Sequence, residues 1–120
     1  MKKQLLFIAT FLLSGLALTV FAEDKANGVT AEKNYQTICF SCHNSGIAGS
    51  PKLGDAAAWK ERIATGKEAM YANVIKGFTG KTGTMPPRGA SQFKDDELNA
   101  IVDYMVSKVE GSDAKKPEAK

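Results

Sequence analysis

Apolar residues recur at helical spacing in several stretches of the chain and lose that spacing in the segments between. Ala31, Tyr35, Ile38 and Cys39 stand at i, i+4, i+7 and i+8, which makes one stripe on one helix face. Thr30 is a good N-cap before them, and Glu32 suits the positive end of the helix dipole. The pattern predicts a helix starting at Thr30 and ending at the cysteine pair. Asp55 can cap a second helix carrying Ala56, Ala57, Ala58, Trp59, Arg62 and Ile63, stopped by Gly66. A third is expected over about 67–76, stopped by Gly77. The last is expected over about 95–109, with Leu98, Ile101, Val102, Met105 and Val109 on its apolar face. Lys94 stands where a Ser or Thr cap is common, so Asp95 is the expected cap.

The segments between are rich in turn formers. Gly46, Gly49, Ser50, Pro51 and Gly54 fill one loop; Gly77 to Gly89 holds four further glycines and two prolines. Neither segment predicts a strand, and there is no internal repeat. The fold class is therefore all-α, about four short helices with long loops. So much loop around so little helix buries limited apolar surface on its own.

The first residues are of another kind. Met1-Lys2-Lys3 precedes an apolar run from Leu5 to Phe21, and Val20 and Ala22 suit a signal-peptidase site. Residues 1–22 read as a secretory signal, 23–29 as a flexible lead-in, 30–110 as the folded domain and 111–120 as a disordered tail. The rival is an uncleaved anchor, which needs about 20 apolar residues; this run is shorter and is interrupted by Thr10, Ser14, Gly15 and Thr19. Cleavage places the protein in the periplasm with no membrane span. It also removes Lys2 and Lys3, so the 16 basic residues fall by two against 13 acidic ones. A nearly neutral chain has no excess of charge to hold nucleic acid.

Export puts the only two cysteines in an oxidising compartment, where a disulfide is the ordinary expectation. Their setting changes that picture. Cys39-Phe40-Ser41-Cys42-His43 is C-x-x-C-H, the attachment signature of a c-type haem, and His43 is the only histidine. Two thiols at this spacing can each add to a vinyl group of one porphyrin, and the imidazole that follows can reach the iron. The alternatives are a disulfide, a thiol-disulfide redox pair, or part of a zinc site. A redox pair belongs beside a βαβ pattern, which is missing. A structural zinc site wants four Cys or His ligands, and the chain has three such residues. For a sixth ligand the candidate is Met85. Met70 and Met105 fall in helical stretches, where methionine usually fills core, whereas Met85 sits in a Gly/Pro loop before two prolines.

With these parts in view, the chain resembles the class I c-type cytochromes, and within them the short bacterial cytochrome c-five type. The resemblance rests on C-F-S-C-H at 39–43, P-K-L-G-D at 51–55, Trp59 with Arg62, G-x-x-x-x-M-P-P-R-G at 80–89 and the final amphipathic helix. It covers nearly all of 30–109. It departs from the c-five group in lacking the extra cysteine pair that often forms a disulfide there.

The resemblance implies a class I fold wrapped around one covalent haem c, held by Cys39 and Cys42 with His43 and Met85 as axial ligands. It implies that the Pro51 carbonyl orients His43, and that the Trp59 indole and Arg62 guanidinium lie near the haem propionates. It implies that Ala31 and Tyr35 cross Ile101 and Tyr104. The function implied is that of a one-electron carrier, iron cycling between Fe(III) and Fe(II), with no substrate turnover of its own. Redox proteins such as respiratory complexes or oxidases would be weak, transient partners, and the chain a monomer or weak dimer. Lys52, Lys76, Lys81 and Arg88 would form a basic docking rim, or only a solvated surface. The competing reading is a haem-based peroxidase or gas sensor with a labile sixth ligand.

Overall fold

Ala31 and Tyr35 do share a partner, and it is the last helix. The computed structural model describes residues 20–113; the expected signal peptide, apart from its last three residues, and the end of the expected tail lie outside them. Helix α1 (Val20–Asn34) runs into a five-residue π-turn (Tyr35–Cys39) and then into the short α2 (Phe40–His43). The first helix thus passes straight through 23–29, and Thr30 lies within it rather than capping it. Gly28 costs a helix about 1 kcal/mol, too little to stop one. In the π-turn the Phe40 N–H reaches back five residues to the Tyr35 carbonyl, which widens the helix by one residue just before the first thiol.

Helices α3 (Ala56–Ala64), α4 (Lys67–Lys76) and α5 (Asp95–Asp113) complete the framework. The α5 helix is the spine, presenting two adjacent stripes. Ile101, Met105 and Val109 pack with Tyr35 and Trp59. Leu98, Val102 and Val106 pack with Met70 and Val74 of α4. Val106, absent from the predicted face, completes the second stripe. Tyr35 is wholly buried, its ring 5.5 Å from that of Tyr104. Across the other side, Asp103 accepts the Tyr71 hydroxyl at 2.8 Å and pairs with Lys67 at 2.8 Å, tying α4 to α5.

Two caps were legible to different degrees. Asp55 caps α3 by accepting the Ala58 N–H at 3.2 Å. An Asp55→Ala variant should lose about 1 kcal/mol in chemical denaturation, and Asp55→Ser should retain most of it. At α5 the cap is Lys94, not Asp95: its carbonyl takes the Leu98 N–H at 3.0 Å, and Glu97 accepts the Lys94 N–H at 2.8 Å. That return bond from the third helical residue stands in for a capping side chain. Asp95 is left free to pair with Arg88.

The Gly/Pro segment holds a small strand pair that its composition did not predict. Strands β1 (Phe78–Thr79) and β2 (Thr84–Met85) are antiparallel, with Phe78 opposite Met85 and Thr79 opposite Thr84. Pairing gives these backbone groups partners that the loop could not otherwise supply. Two residues per strand do not alter the all-α class. The hairpin tip is closed by the Gly80 N–H on the Gly83 carbonyl at 2.9 Å.

This tip meets the 46–49 loop backbone to backbone. A Cβ on Gly49 would stand 1.9 Å from the Thr82 carbonyl oxygen, and one on Gly83 would stand 2.0 Å from that of Ala48. The Thr82 hydroxyl donates to the Gly49 carbonyl at 3.1 Å. Beyond Met85, Arg88, Gly89 and Ala90 all adopt left-handed φ, near 58°, 61° and 60°. For the two non-glycine residues this costs roughly 1–2 kcal/mol each. The Ser91 N–H and hydroxyl both donate to the Arg88 carbonyl and hold the turn, at 3.1 and 2.7 Å.

Candidate functional site

The π-turn and α2 set Cys39, Cys42 and His43 on one short helical segment at the edge of the core. Both thiols are free; Cys39 is partly buried against the Tyr35 cluster and Cys42 is exposed. Burial pushes the Cys39 thiol up, with the adjacent Cys42 pushing the same way, so it stays protonated at neutral pH.

His43 is 8 % exposed. Its Nδ1–H donates to the Pro51 carbonyl at 2.9 Å, and the next turn is pinned by the Leu53 N–H on the His43 carbonyl at 2.7 Å. Burial holds the imidazole below the usual histidine range; the Arg62 guanidinium pushes the same way and the Pro51 bond opposes both. The ring is therefore neutral at pH 7, with Nδ1 committed and Nε2 left as the basic nitrogen.

His43 opens onto a cleft of about 470 Å³ that Met85, Val74 and Phe78 also line. Trp59, Arg62, Met70 and Met105 also line it. Three methionines thus face one space, but they are not equivalent. Met70 and Met105 are buried in the helix-packing clusters, while Met85 sits on β2 and only leans against one of them. A larger hollow of about 630 Å³ between α1 and α5 has no thiol, imidazole or thioether in its lining.

Trp59 and Arg62 do share the cleft, with one correction. The Trp59 indole N–H donates to the Lys52 carbonyl at 2.8 Å, so it is committed to the loop that carries Pro51. The reason is burial: Trp59 packs into the Tyr35 cluster, and its N–H must find a backbone partner there. Arg62 bonds the Ala58 carbonyl within its own helix, and its guanidinium also borders the cleft. The expected basic rim is likewise incomplete, because Arg88 is turned onto Asp95.

Sequence reasoning did not find the loop contact formed by Gly49, Thr82 and Gly83, nor Met70 as a cleft wall. The first left a trace in the two Gly-x-x-Gly spacings, 46–49 and 80–83; the second left none. The cleft offers an imidazole with a fixed tautomer and methionine thioethers, and the two free thiols stand on the same short segment as that imidazole. These soft nitrogen and sulfur groups in an apolar cleft fit an iron porphyrin and do not suit a hard cation.

The sequence matches the family described as cytochrome c oxidase, cbb3-type, subunit III, over residues 26–105. It is 40 % identical over 99 residues to cytochrome c-555 of Chlorobaculum tepidum, covering 82 % of this chain and 86 % of that one. Cytochrome c5 of Ectopseudomonas mendocina is 40 % identical over 70 residues, 56 % of this chain and 76 % of that one. The fold superposes on the cytochrome in a crystal structure of an electron transfer complex of nitrite reductase with cytochrome c. The TM-score there is 0.60 at 41 % identity, covering 67 % of this chain and 94 % of that one. The helical framework around α5, the thiol–imidazole segment and these matches agree, and the chain belongs to the small class I c-type cytochromes.

Proposed function

We propose that the chain is a periplasmic one-electron carrier in which Cys39 and Cys42 bind one haem c covalently and His43 and Met85 are its axial ligands. Membership of the family makes the protein a haem c carrier rather than an enzyme. Bound haem supplies a one-electron Fe(III)/Fe(II) couple. The rest is the work of the chain. Pro51 fixes the His43 tautomer and aims Nε2 into the cleft. Met85 offers a neutral thioether from the β1–β2 hairpin, which favours the ferrous state. The apolar walls exclude water and disfavour the extra ferric charge, pushing the potential the same way. Arg62 is the remaining donor for a propionate at the cleft edge.

The observation that carries this reading is that His43, with Nδ1 already committed, and Met85 line the same cleft. Absorption spectra of both redox states with a potentiometric titration test it. Expected are a colour that survives acid-acetone extraction, a low-spin six-coordinate spectrum in both states and a single one-electron wave at positive potential. A colourless protein, or a high-spin ferric spectrum, would overturn it.

The exported location follows from reading residues 1–22 as a signal peptide. No helix among the described residues is long and apolar enough to cross a membrane. A cytochrome similar to this chain is found in an electron transfer complex with nitrite reductase, which supports a redox protein as partner. Such encounters bury little surface, under about 1,200 Å², and are transient.

A further inference from the structure

The 51–53 loop holds His43 twice. The Pro51 carbonyl takes the imidazole Nδ1–H at 2.9 Å, and the Leu53 N–H donates to the His43 carbonyl at 2.7 Å. The second of these bonds is made by the peptide group that joins Lys52 to Leu53. The oxygen of that same peptide takes the Trp59 indole N–H at 2.8 Å. A peptide group is planar and rigid, so a grip at both ends leaves it little freedom to turn. The Pro51 carbonyl belongs to the next peptide back. The proline ring fixes φ there, so the direction of that oxygen depends on where the 52–53 peptide is held. Trp59 can hold it because Trp59 is itself fixed. It is buried with Tyr35, Ile101 and Met105 in the cluster on α5, and its ring lies 6.3 Å from that of His43. The Asp55 N–H also donates to the Lys52 carbonyl, at 3.1 Å, but that bond closes the turn locally and would move with it.

The geometry points to Trp59 as a positioning residue for His43: its indole N–H, by holding the 52–53 peptide, fixes the Pro51 carbonyl against Nδ1–H and so sets how strong a donor Nε2 is. The inference rests on the reading of His43 as an axial ligand and adds the residue that tunes it. A firm bond at Nδ1 makes the imidazole a more basic ligand, which favours the ferric state. Losing the Trp59 bond should therefore raise the midpoint potential. An N–H serving a propionate would act with the opposite sign. Its loss would leave the propionate charge unpaired, and that charge favours ferric iron and lowers the potential.

Trp59 is the one tryptophan of the chain. Biosynthetic incorporation of β-(3-benzothienyl)alanine in place of tryptophan therefore replaces its N–H by sulfur at this position alone and keeps the ring volume. Trp59→Phe is the second variant, with the same bond removed and some packing lost. In the holoprotein the sulfur analogue should favour the ferrous state by about two- to fivefold, which raises the midpoint potential by about 20–40 mV. The His43 Nδ1–H should exchange with solvent about fivefold faster in proton NMR of the ferrous protein, the worth of one hydrogen bond. Trp59→Phe should move both quantities in the same direction. A potential that falls assigns the N–H to a propionate and overturns the proposal. Lost stability with the parent's potential and exchange rate also overturns it, because packing alone would give that result. The spectrum of the parent separates the two readings. The porphyrin ring current shifts the ring protons of an axial imidazole strongly upfield, and a parent without that shift overturns the axial reading of His43 on which this one stands.

Discussion

Replacing Met85 by alanine is expected to lower the midpoint potential by on the order of 0.1–0.3 V, a fraction of the roughly 0.8 V that axial ligands span. It should also let carbon monoxide bind the ferrous protein and cyanide or imidazole bind the ferric one. The reason lies in which methionine the chain can release. Met70 and Met105 are buried in the packing between helices, where moving a side chain toward the cleft would open a cavity in the core. Met85 has no such duty: it sits on a two-residue strand and is half-buried. The variant should therefore lose little stability, about 1–2 kcal/mol, below the range for a fully buried methionine, while its redox properties change greatly. An unaltered spectrum and potential would remove Met85 from the ligand set. A parent protein that already binds carbon monoxide would favour the peroxidase or gas-sensor reading.

The second large effect is expected at Gly49. In Gly49→Ala the new Cβ would meet the Thr82 carbonyl at 1.9 Å, and that neighbour is backbone, which has no rotamer to change. The residue also has φ of 78°, which alanine adopts at a cost of roughly 1–2 kcal/mol. Together these should destabilise the holoprotein by about 2–4 kcal/mol, the range of a severe single substitution. For a domain of this size that lowers Tm by about 10–25 °C. Two further variants separate the causes. Gly54→Ala has the same left-handed φ, 79°, with open space around it, so it should lose only the backbone share. Gly83→Ala has no left-handed φ but the same kind of collision, 2.0 Å from the Ala48 carbonyl, so it should lose the contact share. Because the hairpin carries Met85, the two colliding variants should also weaken the spectral signature of thioether ligation. Equal losses in Gly49→Ala and Gly54→Ala would show that the loop contact is not needed.

Much of this site is legible in the sequence because its chemistry is scarce. One histidine, two cysteines and one loop methionine leave few ways to assemble a haem site, and helical spacing along 98–109 marks the face of the helix on which everything else rests. The start of the first helix is not legible, because capping by Thr30 is only a local preference and nothing in the sequence stops a helix from running through 23–29. The β1–β2 pair is not legible either, because glycine and proline signal a turn without saying what closes it. Trp59 shows a different limit. Its type and position are those of the resemblance, but the partner of its N–H depends on which carbonyl the 51–53 loop brings within reach, and that is tertiary information. The same holds for Arg88, whose charge is spent on Asp95 across a turn that composition alone does not describe.

The π-turn at Tyr35–Cys39 carries a consequence for how this chain can change over evolutionary time. A regular helix advances about 100° per residue, but the wide turn absorbs its one extra residue, so the angle between the face that Ala31 and Tyr35 give to α5 and the face that carries Cys39 and His43 stays close to that of an ordinary helix one residue shorter. Substitutions at 36, 37 and 38 leave that angle alone. A one-residue deletion there would relax the segment to ordinary helix and leave that angle nearly unchanged, whereas a second deletion would rotate both thiols and the imidazole by about 100° relative to the core. The segment between Tyr35 and Cys39 thus holds one residue of slack: it can lose that residue and no more without turning the attachment register away from the packing register.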